Sequence, residues 1–530
     1  MTTVFTGRIR PLAPAIDTDA EAMAVDGGRV VAVGTASSLA ARFPDAETIA
    51  LDGWVMPGLI EPHGHPAFSA IVLSDLVVDV RPVGVPDADG VLARVRSAVA
   101  DADGAVFVNG WDGLLQRGLP DPDMRFLDGL AGEVPLVVIH NSGHSAYFNS
   151  AAALAAGVDD STPDPVGASF GRDADGSLTG VALEAAAVEL IVAPLLAAAQ
   201  QRMPQLLLDH LRDLASRGIT TVSDLSWNTG LDPLIAALRE QGVLPVRLRW
   251  YEMSRPGGIA APPADDDPVF RQTGVKTWSD GSPWIGNIAT SFPYLDTPAT
   301  RALGLEPHHR GSANYTAAEL LEIAEPYAAG GWQLACHAHG DLAIDATLDV
   351  YEQIIARHGL ADHRFRLEHC GAMTAPQFER AATLGVTVSL FVDHITYWGE
   401  VLVDDLFGAE RGGAWADAGA AFAAGHRATF HNDGWVTPNE PFRNMAVAET
   451  RTTRAGYRMP GGTPVTREQA LAAHTVNAAW QLFSEHEVGA LAPGLFADFL
   501  VVDRDPLSVS AEELASTVVR ATYLSGARVV

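Results

Sequence analysis

Short apolar runs alternate with longer amphipathic stretches through most of the 530-residue chain. Eight of these runs are typical of the buried strands of a parallel sheet, which are apolar along nearly their whole length. Eight such strands predict a closed (β/α)8 TIM barrel, an α/β fold, over residues 58–484. The predicted strands are residues 54–65, 219–225, 246–251, 275–279, 332–338, 365–370, 386–391 and 428–433.

Amphipathic stretches before the second and fifth strands predict helices at residues 204–217 and 316–329. Gly218 and Gly330 stand where these helices should end, because glycine commonly follows the last helical turn.

Two long gaps interrupt the regular alternation. About 150 residues separate the first and second strands and carry strand-like runs of their own, which predicts an inserted subdomain at about 75–190. About 50 residues, rich in proline and glycine, separate the fourth and fifth strands and predict a long loop over the carboxyl end of the barrel.

Both ends of the chain have the pattern of short strands joined by turns. In residues 1–57, Asp26, Gly27 and Gly28 separate two β-rich runs in the manner of a hairpin. Residues 485–530 contain two further β-rich runs. Because each terminal segment is too small to fold alone, the two are predicted to pair into one small β-sandwich.

Composition narrows the possible functions mainly by exclusion. A formal charge of −30 disfavours binding to nucleic acid or to an anionic membrane. The sequence begins without a basic and apolar leader pattern and has no apolar run long enough to cross a bilayer, so a cytoplasmic protein is expected. Two cysteines are too few for a disulfide framework. A homodimer is the expected assembly because it is the commonest one.

Lys276 is the only lysine among the 35 basic residues. Arginine stays protonated in proteins, whereas a buried lysine can lose its proton and act as a nucleophile, a base or a carbamate precursor. The single lysine therefore indicates a chemical role, although chance survival under a compositional bias is the alternative.

Polar side chains gather at the predicted strand ends. His63 and His65 end the first strand, and residues two apart in a strand point to the same side. The other strand-end groups are Lys276, His337, His369 and Asp433. Because barrel strand ends converge on the axis and buried polar groups need partners, a bound divalent metal ion is the simplest interpretation.

Strand alternation distinguishes the positions next to the candidate ligands. Cys336 and Cys370 are one residue from a candidate ligand, so they should point away from it and serve packing. His339 and His431 are two residues from a candidate ligand, so either is a second layer of contacts, a substrate contact or a merely hydrogen-bonded histidine.

These residues and their spacing resemble the amidohydrolase superfamily, in particular amidohydrolase family 3, and the resemblance runs almost from end to end of the chain. The residues that carry the resemblance are 55–66, 275–282, 337–341, 366–369, 432–433 and the tail 488–498. Three positions depart from the family pattern, namely Glu61, Pro62 and His339.

The resemblance implies a metal-dependent hydrolase with zinc as cofactor. It implies that His63 and His65 bind one ion, that His337 and His369 bind a second, and that Lys276, as a carboxylated (carbamylated) lysine, bridges the two. It also implies that Asp433 contacts the metal-bound hydroxide and acts as the proton shuttle. One ion suffices if Lys276 stays an amine, but two are favoured.

Candidate substrate contacts come from the insertion and from the late loops. They are Trp111, His144, Asp280, His339 and Tyr397. For Trp111 and for Trp398, which follows Tyr397, filling a gap in the core is at least as plausible a role.

The favoured reaction is hydrolysis of an amide-type carbon–nitrogen bond, other than a peptide bond, in a small-molecule substrate. A deaminase, cyclic amidase or decarboxylase on the same metal site is the alternative, because one barrel supports many chemistries. A catalytically inactive metal-binding or regulatory protein is disfavoured, since such a protein does not need Asp433 as a proton shuttle.

Overall fold

The computed structural model describes residues 2–13, 20–255 and 267–530. The strands in these residues are β1 (Thr3–Ile9), β2 (Ala20–Asp26), β3 (Arg29–Gly34), β4 (Glu47–Pro57), β5 (Leu59–Gly64), β6 (Val78–Asp79), β7 (Val106–Trp111), β8 (Leu136–His140), β9 (Ser145–Phe148), β10 (Ser169–Arg172), β11 (Leu178–Leu183), β12 (Ile219–Asp224), β13 (Arg247–Met253), β14 (Phe270–Trp278), β15 (Gln333–Ala338), β16 (Arg366–His369), β17 (Thr387–Leu390), β18 (Thr429–Phe430), β19 (Phe499–Val502), β20 (Val519–Leu524) and β21 (Ala527–Arg528).

The α-helices in the same residues are α1 (Ala36–Arg42), α2 (Pro66–Val72), α3 (Ala88–Ala100), α4 (Met124–Ala131), α5 (Ser150–Ala156), α6 (Ala185–Ala199), α7 (Met203–Ser216), α8 (Asp232–Glu240), α9 (Pro298–Ala302), α10 (Ala317–Ala329), α11 (Asp341–His358), α12 (Ala375–Thr383), α13 (Asp393–Glu400), α14 (Gly408–Arg411), α15 (Ala418–Ala423), α16 (Pro441–Thr450), α17 (Arg467–Ala473), α18 (Val476–Gln481) and α19 (Ala511–Ala515). Two predicted helices are confirmed as α7 and α10. Within the described ranges, no helix has both the length and the apolar character that a membrane span requires.

The barrel is built from eight parallel strands, as predicted. Their order is β5, β12, β13, β14, β15, β16, β17 and β18, and each strand pairs with the next. At the seam between β18 and β5, the backbone N–H of Asn432 donates to Glu61 Oε1 at 2.9 Å. Because Glu61 is fully buried, burial raises the pKa of its carboxyl group well above the usual value.

The first predicted strand, residues 54–65, is wrong as a single element. Residues up to Pro57 belong to β4, which pairs antiparallel with β19 outside the barrel, and the barrel strand begins at Leu59. Gly58 lies at the break, and a β-carbon there would collide with the side chain of Thr220. The apolar run is therefore continuous in sequence but serves two sheets.

Both termini contribute to one seven-stranded sheet, in the order β21, β20, β19, β4, β1, β2 and β3. Aromatic rings pack on one face of this sheet, where the ring centroids of Phe5 in β1 and Phe499 in β19 lie 5.1 Å apart. The Phe499 ring in turn stacks on Tyr523 of β20 at 4.3 Å. The predicted pairing of the two terminal segments is thus confirmed.

Between β5 and β12 the chain forms a separate six-stranded sheet, in the order β10, β11, β9, β8, β7 and β6. Strands β6, β7 and β8 are parallel, and the remaining pairs are antiparallel. Helix α6 and the segment after β8 line the cavity at the carboxyl end of the barrel. The exact domain boundaries stay a prediction.

Candidate metal centre

The six residues predicted to bind metal line one cavity of about 690 Å³ at the carboxyl end of the barrel. They are His63, His65, Lys276, His337, His369 and Asp433. Asp433 Oδ1 lies 3.5 Å from His63 Nε2 and 3.4 Å from His65 Nε2. The centroid of the His369 ring lies 4.7 Å from that of the His63 ring and 4.4 Å from that of the His337 ring. Strand ends far apart in sequence thus bring six chemically active groups to one place.

The two histidines of the first strand each use one nitrogen for a hydrogen bond within the protein. His63 Nδ1 pairs with Glu368 Oε2 at 2.6 Å, and His65 Nδ1 pairs with Ser226 Oγ at 2.8 Å. Both Nε2 atoms therefore face Asp433 and the cavity. Second contacts of this kind commonly orient metal-binding imidazoles.

The histidines of β15 and β16 follow the same pattern, His337 through Nε2 and His369 through Nδ1. His337 Nε2 donates to the carbonyl oxygen of Gly281 at 2.8 Å, which leaves Nδ1 available. His369 Nδ1 lies 3.0 Å from His431 Nε2, and His431 Nδ1 lies 2.9 Å from Ser389 Oγ. His431 therefore holds the His369 ring through Nδ1. This agrees with the second layer of contacts, which is one of the roles that its position in the sequence allowed.

Glu368 was not assigned a role from the sequence. Its carboxylate accepts two hydrogen bonds from Arg366, at 2.6 and 3.0 Å, in addition to its contact with His63. Both charged side chains are fully buried. The available signal was the pair of opposite charges two residues apart in the strand that ends at His369, because such residues share a face.

The donor set fits a divalent cation. Burial lowers the pKa of His63, His337 and His369 well below the usual value, so these imidazoles are neutral, as ligands must be. His63 Nε2 and Asp433 Oδ1 are buried and face each other without a hydrogen-bond partner among the described residues. Three groups of donors have the spacing of metal ligands, and one of them is His63, His65 and Asp433. Within each group, the possible ligand atoms all lie within 4.8 Å of one another.

Lys276 is 1% exposed, and its side-chain nitrogen makes no hydrogen bond to any residue that the structure describes. Burial lowers the pKa of its ammonium group to about 8, against the opposing charges of Glu368 and Asp433. A neutral amine is the form that reacts with carbon dioxide, so this environment fits a carbamate precursor.

Strained backbone conformations gather around the cavity. The φ angles of His369, Asp433 and Glu184 are +71°, +58° and +67°. Non-glycine residues rarely adopt this left-handed region, and such strain is typical of functional sites.

Of the five candidate substrate contacts, His144 alone belongs to the lining of this cavity as the described residues define it. Trp111 is 2% exposed and packs against Phe126 in the core of the insertion. Tyr397 is also buried, between the guanidinium groups of Arg443 and Arg454. The contact of Trp111 with Phe126, and the contacts of Tyr397 with the two guanidinium groups, hold both rings away from the centre.

Asp280 and His339 lie beside the centre without lining the cavity. The Asp280 carboxylate accepts from the backbone N–H groups of His339 and Gly340 at 2.9 and 2.7 Å, and burial raises its pKa to about 7. The His339 ring stacks on His369 at 4.8 Å and on Trp415 at 5.9 Å. Both residues thus shape the segment after β15.

The outer part of the cavity has an apolar wall. Its lining includes Phe68 and Ile71 of α2, Val188, Val192 and Leu196 of α6, and Met203 and Leu234. The cavity therefore combines a polar floor with an apolar wall, against which an apolar substituent of a substrate can pack.

Comparison with known proteins extends these observations. A family model described as the amidohydrolase family matches residues 47–530, and one described as a bacterial imidazolonepropionase-like composite domain matches residues 22–46. The N-substituted formamide deformylase of Arthrobacter pascens is 28% identical, over 96% of this chain and 94% of its own length. Protein LONG AFTER FAR-RED 3 of Arabidopsis thaliana is 27% identical, over 96% and 88%.

The fold also resembles solved structures. An uncharacterized metal-dependent hydrolase from Pyrococcus horikoshii OT3 aligns with a TM-score of 0.73 at 21% identity, covering 97% of this chain and 99% of its own. A second, from Pyrococcus furiosus, aligns with a TM-score of 0.71 at 23% identity, covering 96% and 100%. At these identities, the likeness concerns the fold.

Proposed function

Because this chain belongs to the amidohydrolase family, as a metal-dependent hydrolase of carbon–nitrogen bonds other than peptide bonds, we propose that it cleaves an acyclic amide bond in a small molecule. The observation that carries this proposal is the orientation of the four imidazoles. In each ring, one nitrogen is hydrogen-bonded within the protein, and the other makes no hydrogen bond to a described residue.

The proposed ligands are the six groups at the cavity floor. His63 and His65 would hold one zinc ion, and His337 and His369 a second. Lys276, as a carbamate, would bridge the two ions, and Asp433 would complete the set. Asp433 Oδ1 lies 3.4 to 3.5 Å from the two Nε2 atoms and has no hydrogen-bond partner in the described part of the chain, which supports this assignment.

Bound zinc would supply Lewis acidity toward the amide carbonyl and would bring the pKa of water toward about 7. The Asp433 carboxylate takes the proton from the attacking water and delivers it to the departing nitrogen. The water oxygen forms a bond to the carbonyl carbon, the carbon–nitrogen bond breaks, and a carboxylic acid and an amine result. The buried Arg366–Glu368 pair holds His63 throughout.

The shape of the cavity guides the choice of substrates to test. Its apolar wall, from α2 and α6, suits an apolar substituent. Together with the similarity to an N-substituted formamide deformylase, this favours formamides with alkyl or aryl substituents on nitrogen. A cytoplasmic location and a homodimer stay predictions.

The test is metal content per chain by plasma mass spectrometry, on protein purified without added metal. It is followed by chelation and metal re-addition in assays on N-acyl amides and N-substituted formamides. We expect about two zinc ions per chain, and hydrolysis that disappears on chelation and returns with zinc. Turnover of an amino-heterocycle, a cyclic amide or a carboxylated substrate in place of the acyclic amides would identify a deaminase, a cyclic amidase or a decarboxylase.

A further inference from the structure

The cavity at the metal centre continues along helix α6 as an apolar channel, which is the part of the cavity lined by α2, α6 and α8. We propose that this channel binds one linear, uncharged alkyl chain of about ten to twelve carbons on the amide substrate. The inference rests on the proposed function and adds the length and the shape of the substrate's apolar group.

One side of α6 lines the cavity from the beginning of the helix to its end. The apolar lining residues are three or four positions apart, which places them on one side of the helix. They are Ala185, Val188, Val192, Leu196 and Ala199. From the first to the last of them, the helix extends about 21 Å at the usual rise per residue. The cavity is therefore elongated along α6.

The other side of α6 packs against the insertion. Ala187, Ile191 and Leu195 are buried and do not belong to the cavity lining among the described residues. Helix α6 contacts β9, β11 and α5, all of which belong to the insertion. This packing fixes the helix with its lining side toward the barrel.

The beginning of α6 is joined to the metal centre. The backbone N–H of Glu184, which precedes the helix, donates to the carbonyl oxygen of His144 at 2.7 Å. The Glu184 carboxylate lies 2.8 Å from His144 Nδ1 and accepts from Asn287 Nδ2 at 2.7 Å. The ring centroids of His144 and His337 lie 4.8 Å apart. The channel therefore begins beside the proposed metal ligands, where the amide group has to lie.

Other elements complete the wall of the channel. Phe68 and Ile71 of α2 line it, as do Leu231, just before α8, and Leu234 within α8. Met203, at the start of α7, lines it beyond the end of α6 and is 6% exposed. These side chains present carbon atoms to the channel, so burying methylene groups against them is favourable.

Few charged groups lie along the channel. Glu189 is a charged lining residue of α6, and it is exposed. No arginine belongs to the cavity lining within the described ranges, and Lys276 lies at the floor with the metal ligands. A chain that ends in a carboxylate would therefore lack a cationic partner in the channel, which favours an uncharged chain.

The length of the channel sets the length of the chain. Leu196 lies about 16 Å along the helix from Ala185. A staggered alkyl chain advances about 1.3 Å per carbon, because its carbon–carbon bonds are about 1.5 Å long. About ten to twelve carbons therefore extend from the metal centre to the neighbourhood of Leu196.

The first test measures binding without hydrolysis. In calorimetry with the purified wild type, the Kd of linear 1-alkanols should fall about threefold per methylene group from 1-butanol to 1-decanol, because each group leaves water for an apolar wall. A Kd that does not improve beyond 1-hexanol would overturn the proposed channel.

Two variants of α6 locate the bound chain. Leu196→Trp fills the far part of the channel, and we expect it to bind 1-decanol at least about tenfold more weakly, with the affinity for 1-butanol unchanged. Leu190→Trp is the matched control, because Leu190 is 41% exposed and lies on the opposite side of the same helix. Equal affinities of the two variants for 1-decanol would overturn the inference. If Leu196→Trp does not fold, the wild-type alkanol series decides alone.

Hydrolysis by the zinc-loaded wild type shows which side of the amide carries the chain. We expect kcat/KM to rise at least about tenfold from N-butylformamide to N-decylformamide for a chain on nitrogen, or from N-methylbutanamide to N-methyldecanamide for a chain on the carbonyl carbon. Hydrolysis that is independent of chain length in both series would overturn the inference. If none of these amides is hydrolysed, the proposed function is wrong, and the alkanol affinities alone decide whether the channel binds an alkyl chain.

Discussion

His63 Nδ1 lies 2.6 Å from Glu368 Oε2, and both side chains are buried. The histidine ends the first barrel strand and the glutamate lies in the sixth, 305 residues later. Because the same carboxylate neutralises the fully buried Arg366, one group orients a proposed metal ligand and balances a buried charge.

Glu368→Gln should weaken both the orientation of His63 and the charge balance of Arg366. Loss of the carboxylate leaves Arg366 without its counter-charge, which costs about 3–5 kcal/mol of unfolding free energy. Zinc affinity should fall about 10–100-fold, because His63 loses its orienting partner. Urea denaturation and competition with a chelator measure the two effects. Glu325→Gln, which disrupts the exposed Glu325–Arg357 pair, is the control and should cost under about 1 kcal/mol.

Lys276→Ala should reduce zinc from two ions per chain to one or none, because the proposed bridge is lost. Hydrolysis should fall at least about 100-fold. Lys276→Arg should behave in the same way, because a guanidinium group stays protonated and does not form the carbamate. Full zinc content and full activity in either variant would rule out the bridging role.

Asp433→Asn should separate metal binding from proton transfer. The amide oxygen can still lie near the metal ligands, but it does not carry a proton between water and the leaving nitrogen. We expect kcat to fall about 10²–10⁴-fold while most of the zinc is retained. Steady-state kinetics and metal analysis check this, with the exposed Asp404→Asn as the control. Wild-type kcat in Asp433→Asn would contradict the proton-transfer role.

Trp398→Phe tests a buried link between the insertion and the barrel. Trp398 Nε1 donates to Asp112 Oδ2 at 2.9 Å, and both residues are buried. Removing the donor should destabilise the protein by about 1–3 kcal/mol at neutral pH, because the carboxylate loses a partner. Urea denaturation measures the loss, and an unchanged midpoint would show that the link adds nothing to stability.

Asp112 should make stability depend on pH. Burial raises the pKa of its carboxyl group from 3.8 to about 6, so the folded state binds this proton more tightly than the unfolded state. Its contribution is therefore fully present below about pH 4 and is lost as the pH rises through about 6, by up to about 3 kcal/mol. Urea denaturation at pH 5 and pH 7 should show this decline in the wild type and a smaller one in Asp112→Asn.

The sequence predicted the features that local patterns and strand ends reveal. The spacing of apolar runs predicted the eight barrel strands, and the polar groups at their ends predicted which side chains would meet. Lys276, the only lysine in the sequence, lies at the same cavity. These inferences succeed because parallel strands of a barrel place their carboxyl ends at one face.

Only the tertiary structure decided the remaining features. The run from 54 to 65 divides at Gly58, because two sheets share it. Trp111 packs inside the insertion, whereas His144 reaches the cavity, although both lie near the ends of neighbouring strands. The carboxylates of Glu184 and Glu368 gain their partners across 40 and 305 residues. Such pairings depend on sheet register and on close approach of the backbone, which the periodicity of one segment does not encode.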